Sequence, residues 1–283
     1  MKVEIAKNAG YCYGVRRAFS LVEKAVREHD GEGPFYTLGP IIHNPQAVEM
    51  LKREKGVYPI SSLDEVDRGV LIIRSHGVPP KLVDRALKKG LKVVDATCPF
   101  VKRAQSKAKE LVDEGYQVVI LGEKEHPEVI GIIAHAGGKA HVIENLEDVE
   151  GLPEMKRVGV VFQTTQELES FGEILTKLLL KSDEMKVHNT ICHAIRNQQT
   201  AARDLARRAD LMLVVGGRNS GNTRRLLQIC RDAGSRAYHI ETADEIDPKW
   251  LEGAELVGIA AGASTPDFII EGVVERLKDL NRS

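Results

Sequence analysis

The apolar positions of this chain follow two alternating rhythms. Short, nearly continuous apolar runs such as Val70-Leu71-Ile72-Ile73 and Leu211-Met212-Leu213-Val214-Val215 read as buried strands. Longer stretches repeat apolar residues every three or four positions, as at Ala18, Leu21, Val22, Ala25 and Val26, and read as helices with one buried face. Strands are predicted at 3–6, 35–38, 70–73, 91–94, 117–121, 157–162, 185–187, 211–215 and 256–260. Helices are predicted at 15–28, 46–54, 81–89, 101–114, 166–180, 195–208, 223–233 and 267–278. Asn44-Pro45 has the form of an N-cap and first helical residue, and Gly90 and Gly115 stop the helices before them. Strands alternating with helices at this spacing predict an α/β fold with mainly parallel sheets.

The pattern also repeats. Three times an apolar strand runs into a cysteine and then into a basic, Ala-rich helix: at Cys12, Cys98 and Cys192. Cys98 and Cys192 lie 94 positions apart, and the same offset carries Val101 onto Ile195, Gln105 onto Gln199 and Leu111 onto Leu205. It also carries His126 onto Ser220 and Glu128 onto Asn222. Three pseudo-repeated α/β units are therefore expected, spanning 1–90, 91–185 and 186–283, with the N-terminal strand able to pair with unit three. In open parallel sheets the binding crevice lies beyond the carboxyl ends of the strands. Those ends supply Cys12, His43 and His76; Cys98, His126, Glu128 and Thr164; and Cys192, Ser220, Asn222 and Ser264. Units that face one another would bring this set to one cleft.

Composition narrows the chemistry. A net charge of −1 over 283 residues gives no general pull toward nucleic acid or an anionic membrane, so neither is expected as a partner. No apolar run approaches the ~20 residues of a membrane helix, and the stretch Met1 to Lys7 lacks a signal-peptide core, which points to a cytoplasmic protein. Four widely spaced cysteines do not make a disulfide scaffold. Cys230, inside Leu226-Leu227-Gln228-Ile229-Cys230, reads as a small core residue.

Three thiolates at matched positions suit a soft metal centre. Structural zinc wants four ligands, often in a C-x2-C pair that this chain lacks. A [4Fe–4S] cluster held by Cys12, Cys98 and Cys192 would leave one iron open to an outside ligand. Around it His43, His76, His126, Ser220, Asn222 and Ser264, together with helix N-termini, form the donor set of an anion cradle. Glu128 is the one acid among them, and a carboxylate set among an anionic ligand and a cluster has a raised proton affinity, as a proton donor requires. Thr164 is placed to relay that proton or hold a substrate hydroxyl.

These residues, in Gly10-Tyr11-Cys12-Tyr13-Gly14, Gly39-Pro40-Ile41-Ile42-His43-Asn44-Pro45, Arg74-Ser75-His76-Gly77, Asp95-Ala96-Thr97-Cys98-Pro99, His126-Pro127-Glu128, Gln163-Thr164-Thr165, Thr190-Ile191-Cys192, Asn219-Ser220-Gly221-Asn222 and Ser264-Thr265-Pro266-Asp267, resemble the 4-hydroxy-3-methylbut-2-enyl diphosphate reductase family over essentially the whole chain. The resemblance implies three α/β units around a central iron–sulfur cluster. It implies reductive removal of an allylic hydroxyl, giving isopentenyl and dimethylallyl diphosphate, as the last step of the non-mevalonate route. Cys12, Cys98 and Cys192 would hold one [4Fe–4S] cluster. His43, His76, His126, Thr164, Ser220, Gly221, Asn222 and Ser264 would bind substrate, with Glu128 and Thr164 catalytic. Electrons would come from an external ferredoxin or flavodoxin, because no flavin or nicotinamide motif is present. One departure is Gly221, where many relatives carry a second serine; its backbone N–H remains and a hydroxyl does not. Two other readings of the residues stay open: an iron–sulfur hydro-lyase acting on an anionic substrate, which needs no net electrons, and a metal-binding sensor, which needs no anion cradle.

Overall fold

The computed structural model describes residues 1–282. In chain order the elements are β1 (Lys2–Ile5) and α1 (Tyr13–Glu28); β2 (Phe35–Leu38), α2 (Pro45–Lys55), β3 (Val57–Ile60), β4 (Val70–Ile73), α3 (Pro80–Lys88) and β5 (Lys92–Asp95). There follow α4 (Pro99–Asp113), β6 (Gln117–Leu121), α5 (Pro127–His135), β7 (His141–Ile143), α6 (Leu146–Glu150), β8 (Met155–Phe162), α7 (Gly172–Leu180) and β9 (Ser182–His188). The last group is α8 (His193–Ala206), β10 (Leu211–Val215), α9 (Gly221–Asp232), β11 (Arg236–Ile240), β12 (Leu256–Ala261) and α10 (Asp267–Leu280). The predicted helix at 166–180 begins later, because Leu168–Phe171 form a tighter 3₁₀ turn before α7.

The strands make three four-stranded sheets in the orders β3-β2-β4-β5, β7-β6-β8-β9 and β11-β10-β12-β1, and every pairing is parallel. The fold is the expected α/β class with three pseudo-repeats. Sheet membership is offset from the sequence period, however. The strand that runs into Cys98, β5, pairs with β4, and the strand that runs into Cys192, β9, pairs with β8. Each closes the sheet of the preceding strands. The helix behind Cys98 then leaves that sheet: Ala104, Ala108 and Leu111 of α4 pack with Val118 and Ile120 of β6. β1 closes its sheet from the far end of the chain, with Lys2 opposite Leu256 and Ile5 opposite Ile259.

Two compact units hold these sheets. One gathers Met1–Arg16, Ile42–Met50 and the chain from His193 on, and contains the sheet of β10, β11, β12 and β1. The other gathers Arg17–Ile41 and Leu51–Cys192, and contains the other two sheets. Central strands are buried on both faces, which explains their unbroken apolar sequences. In β10, Met212 and Val214 pack with Leu205 of α8 and Leu226 and Cys230 of α9, while Leu211, Leu213 and Val215 pack with Ile270, Val273 and Leu277 of α10. Cys230 is thus core, and burial pushes its thiol up to about 12. In the sheet of β6 and β8, Phe162 meets Phe171 edge-on at 5.8 Å on one face, and Ile120 packs with Ile132 of α5 on the other. Each such large side chain contributes about 1.5–3 kcal/mol by leaving water. With both faces held, the strand ends and the turns beyond them are fixed in place.

Candidate active site

The three cysteines occupy equivalent places. Each directly precedes the first residue of a helix, Tyr13 of α1, Pro99 of α4 or His193 of α8. Each donates its backbone N–H to a carbonyl two residues past the end of the neighbouring strand: Cys12 to Ala263 beyond β12 (3.1 Å), Cys98 to Ser75 beyond β4 (2.9 Å) and Cys192 to Thr164 beyond β8 (3.0 Å). The hydrogen bonds that close one turn thus also place the residues next to it. Ser75 precedes His76, Ala263 precedes Ser264, and Thr164 is itself a candidate.

In the unit that contains Cys98 and Cys192, α5 begins at Pro127 behind His126, which caps it: Nδ1 of His126 accepts the N–H of Glu128 at 3.2 Å. That bond requires an unprotonated Nδ1 and leaves Nε2 as the N–H donor of a neutral ring. The His76 and His126 rings meet edge-to-face at 5.5 Å. Glu128 is 1% exposed, and burial pushes its carboxyl up to about 7, although Thr164 opposes the shift by donating its N–H to Oε1 (2.7 Å) and its hydroxyl to Oε2 (2.8 Å). Glu128, Thr164 and Cys192 are therefore linked in series. Gln163 fastens the turn beyond β8, its Oε1 accepting the N–H of Glu123 at 2.9 Å. Gly122 has to be glycine here, since a Cβ would stand 2.7 Å from the Gln163 side chain.

Burial also raises the Cys98 thiol, and Cys192 and Glu128 add smaller upward pushes, so the three groups share one electrostatic neighbourhood. Against this, the backbone N–H groups of Phe100 and Val101 point at the Cys98 sulfur and lower it. Amides aimed at a sulfur at a helix start stabilise a thiolate or a metal-bound sulfur. On this observation the Cys98 turn fits a sulfur ligand of an iron–sulfur group, with Cys192 beside it; Cys12 occupies an equivalent turn in the other unit.

In the other unit Ser220 caps α9, its Oγ accepting the N–H of Thr223 at 3.3 Å. Asn222 is 4% exposed and gives its Nδ2 to Oε1 of Gln198 at 3.2 Å. Gln198 in turn donates to the carbonyls of Asn8 (2.7 Å) and Gly10 (2.9 Å), just before Cys12. Ser264 donates to the carbonyl of His43 at 3.2 Å, and Asn44 caps α2 by accepting the N–H of Ala47 at 2.8 Å. Gly221 is buried at the first helical position of α9. Gln198 is not among the residues that the sequence assigns to the site. The available signal for Gln198 is a glutamine falling on the apolar face of α8 beside Ile195, Ala202 and Leu205.

Gly217 shows how tightly His43 is seated. A Cβ there would lie 2.6 Å from the His43 carbonyl oxygen, a backbone atom with little room to yield. Gly217→Ala is expected to displace the His43 segment and to cost about 1–3 kcal/mol. Thermal unfolding and calorimetric titration with inorganic pyrophosphate would register the loss of stability and of anion affinity.

A family model described as LytB protein matches residues 3–278. The 4-hydroxy-3-methylbut-2-enyl diphosphate reductase of Geobacter sulfurreducens is 47% identical over 281 residues, 99% of this chain and 98% of the relative. The reductase of the same name from Aquifex aeolicus is 48% identical over 279 residues, 98% of this chain and 96% of the relative. A solved structure of (E)-4-hydroxy-3-methyl-but-2-enyl diphosphate reductase, described as the terminal enzyme of the non-mevalonate pathway, aligns with a TM-score of 0.72 at 48% identity, covering 99% of this chain and all of the other. The E-1-hydroxy-2-methyl-but-2-enyl-4-diphosphate reductase of Plasmodium falciparum aligns with a TM-score of 0.92 at 30% identity, over 98% of this chain and 88% of the other. On the family match and these full-length relatives, the chain belongs to the LytB protein family.

Proposed function

We propose that this protein reduces (E)-4-hydroxy-3-methylbut-2-enyl diphosphate to isopentenyl and dimethylallyl diphosphate. Two electrons and two protons enter, the C–O bond of the allylic alcohol breaks, and the oxygen leaves as water. The relatives' activity supports the reaction, and the buried Glu128 carboxyl held by Thr164 next to Cys98 and Cys192 is the observation that carries it. A [4Fe–4S] cluster on Cys12, Cys98 and Cys192 would supply electrons one at a time and an iron open to the substrate oxygen. The protein side does the rest. Glu128, poised near neutrality, keeps its proton in the dark of the core and delivers it as the hydroxyl departs. Thr164 holds both carboxyl oxygens and so fixes the direction of delivery.

The diphosphate falls to the hydrogen-bond donors. His76 and His126, Ser220, Asn222 and Ser264, the His43 segment and the N–H groups at the start of α9 supply them. Gly221 contributes a backbone N–H in place of a hydroxyl. Electrons would arrive from an external carrier of the ferredoxin or flavodoxin type. Among the described residues no helix is long and apolar enough to cross a membrane.

The test is anaerobic purification followed by iron and acid-labile sulfide analysis and turnover with and without a one-electron reductant. About four irons and four sulfides per chain, with turnover strictly dependent on reductant, are expected. Turnover without reductant would favour the hydro-lyase reading. Zinc in place of iron after reconstitution would overturn the reductase.

A further inference from the structure

Gln198 touches no reacting atom in the proposed reaction, yet it joins two segments that reaction uses. Its Nε2 has two hydrogens, and they go to the carbonyls of Asn8 at 2.7 Å and Gly10 at 2.9 Å. The loop is bent to offer them: Asn8 has φ of +62° and Gly10 of +86°, and Asn8 is the only non-glycine residue with positive φ among those described. The amide of Gln198 therefore has one orientation, because the flipped form would set Oε1 against two carbonyl oxygens. Oε1 is left facing Asn222 and accepts its Nδ2 at 3.2 Å. Asn222 is oriented in turn. Its Nδ2 must face Gln198, and its buried Oδ1 points away with no hydrogen-bond partner in the protein.

We infer that Gln198 is a positioning residue that fixes the amide of Asn222 and couples it to the loop carrying Cys12. In this orientation Asn222 keeps an unused carbonyl oxygen, and its Nδ2 carries a second hydrogen besides the one given to Gln198. That pair matches a phosphate bearing both P–O⁻ and P–OH, and a P–OH donor would satisfy the buried Oδ1, which is otherwise costly to leave unpaired. The inference rests on the diphosphate role proposed for Asn222. It goes beyond that role by assigning the selection of a protonated phosphate edge, and by making occupancy of Asn222 felt at the turn before Cys12.

The experiment is calorimetric titration of the reconstituted holoenzyme with inorganic pyrophosphate, for the wild type, Gln198→Ala, Asn222→Ala and the double variant. Thermal unfolding of each confirms the fold. Each single substitution is expected to weaken binding on the order of tenfold, and the double variant to bind no more weakly than Asn222→Ala alone. Additive losses would overturn the inference, because Gln198 would then act independently of Asn222. Gln198→Glu, which keeps an acceptor for Asn222 but loses both donors, is expected to bind like Gln198→Ala; wild-type affinity in that variant would overturn it as well. Unchanged affinity in Asn222→Ala would remove the diphosphate role of Asn222 itself, and so separates a failure of the proposed function from a failure of this inference.

Discussion

Glu128→Gln is expected to lower kcat by about 10²–10⁴-fold while leaving the fold and pyrophosphate affinity intact. The substitution is nearly isosteric. Thr164 can still donate its N–H to the amide oxygen, and its hydroxyl can turn to accept from the new NH₂ where it now donates at 2.8 Å. What disappears is the acidic proton. The pH profiles separate this from a structural effect. In the wild type, turnover should fall as pH rises through about 7, since the donor is then ionised before the reaction begins.

Stability should carry the same signature. The folded carboxyl binds its proton up to about 7, whereas an unfolded one releases it near 4.5. Between those values the folded state holds more protons, so its advantage is full below 4.5 and is lost progressively up to 7. The change is on the order of 3 kcal/mol. Glu128→Gln should abolish that slope and be the more stable protein at pH 8. Denaturant titrations across pH, alongside steady-state rates, read both effects; normal turnover in Glu128→Gln would end the proton-donor role.

Cys98→Ser is the second large effect. A serine hydroxyl is a poor ligand for soft iron, and it lies where the Phe100 and Val101 amides are set to face a sulfur. Iron and sulfide are expected to fall well below the wild-type content, and turnover by at least about 100-fold. Because Cys98 sits at a half-buried turn outside the main apolar clusters, thermal stability of the metal-free protein should change little. Cys230→Ser supplies the contrast. That residue is fully buried among Met212, Val214 and Leu226, so the variant should lose stability and keep its iron.

The elements most readable from sequence were those buried on both faces. Strands such as β4, β6 and β10 announce themselves by unbroken apolar runs, and most helices by their periodicity and proline starts. β3, β7 and β11, each an outer edge of its sheet, escaped because they lack an unbroken apolar run. Val57-Tyr58-Pro59-Ile60 even contains a proline, which an edge tolerates and a central strand does not. His141-Val142-Ile143 and Arg236 to Ile240 are short or half polar.

The candidate residues could be placed at strand ends from periodicity alone, since polar residues directly after a buried strand have few other places to be. Their partners could not. Nothing local in the sequence says that Gln198 reaches back to Asn8, or that Gly217 makes room for the His43 carbonyl, because those contacts join residues about 190 and 174 positions apart. The sheet membership of β5 and β9 was hidden for a similar reason. The repeat unit read along the chain begins at the strand before each cysteine, whereas hydrogen bonding assigns that strand to the sheet already built.

The closure of one sheet by β1 has a consequence for how the protein is made. Lys2 leaves the ribosome long before Leu256, its partner across the ladder, has been synthesised. At about 5–20 residues per second the first strand waits many seconds with its hydrogen-bonding edge unpaired. The two sheets built from β2 to β9 need no such delay, because all their strands lie between Phe35 and His188. Translation therefore delivers them complete while the Cys12 turn, tethered to Ala263, is still unformed. An order of assembly follows in which the Cys12 turn closes only after Ala263 has been made. A chain ending before Ala263 would then lack the hydrogen bond that sets the Cys12 turn.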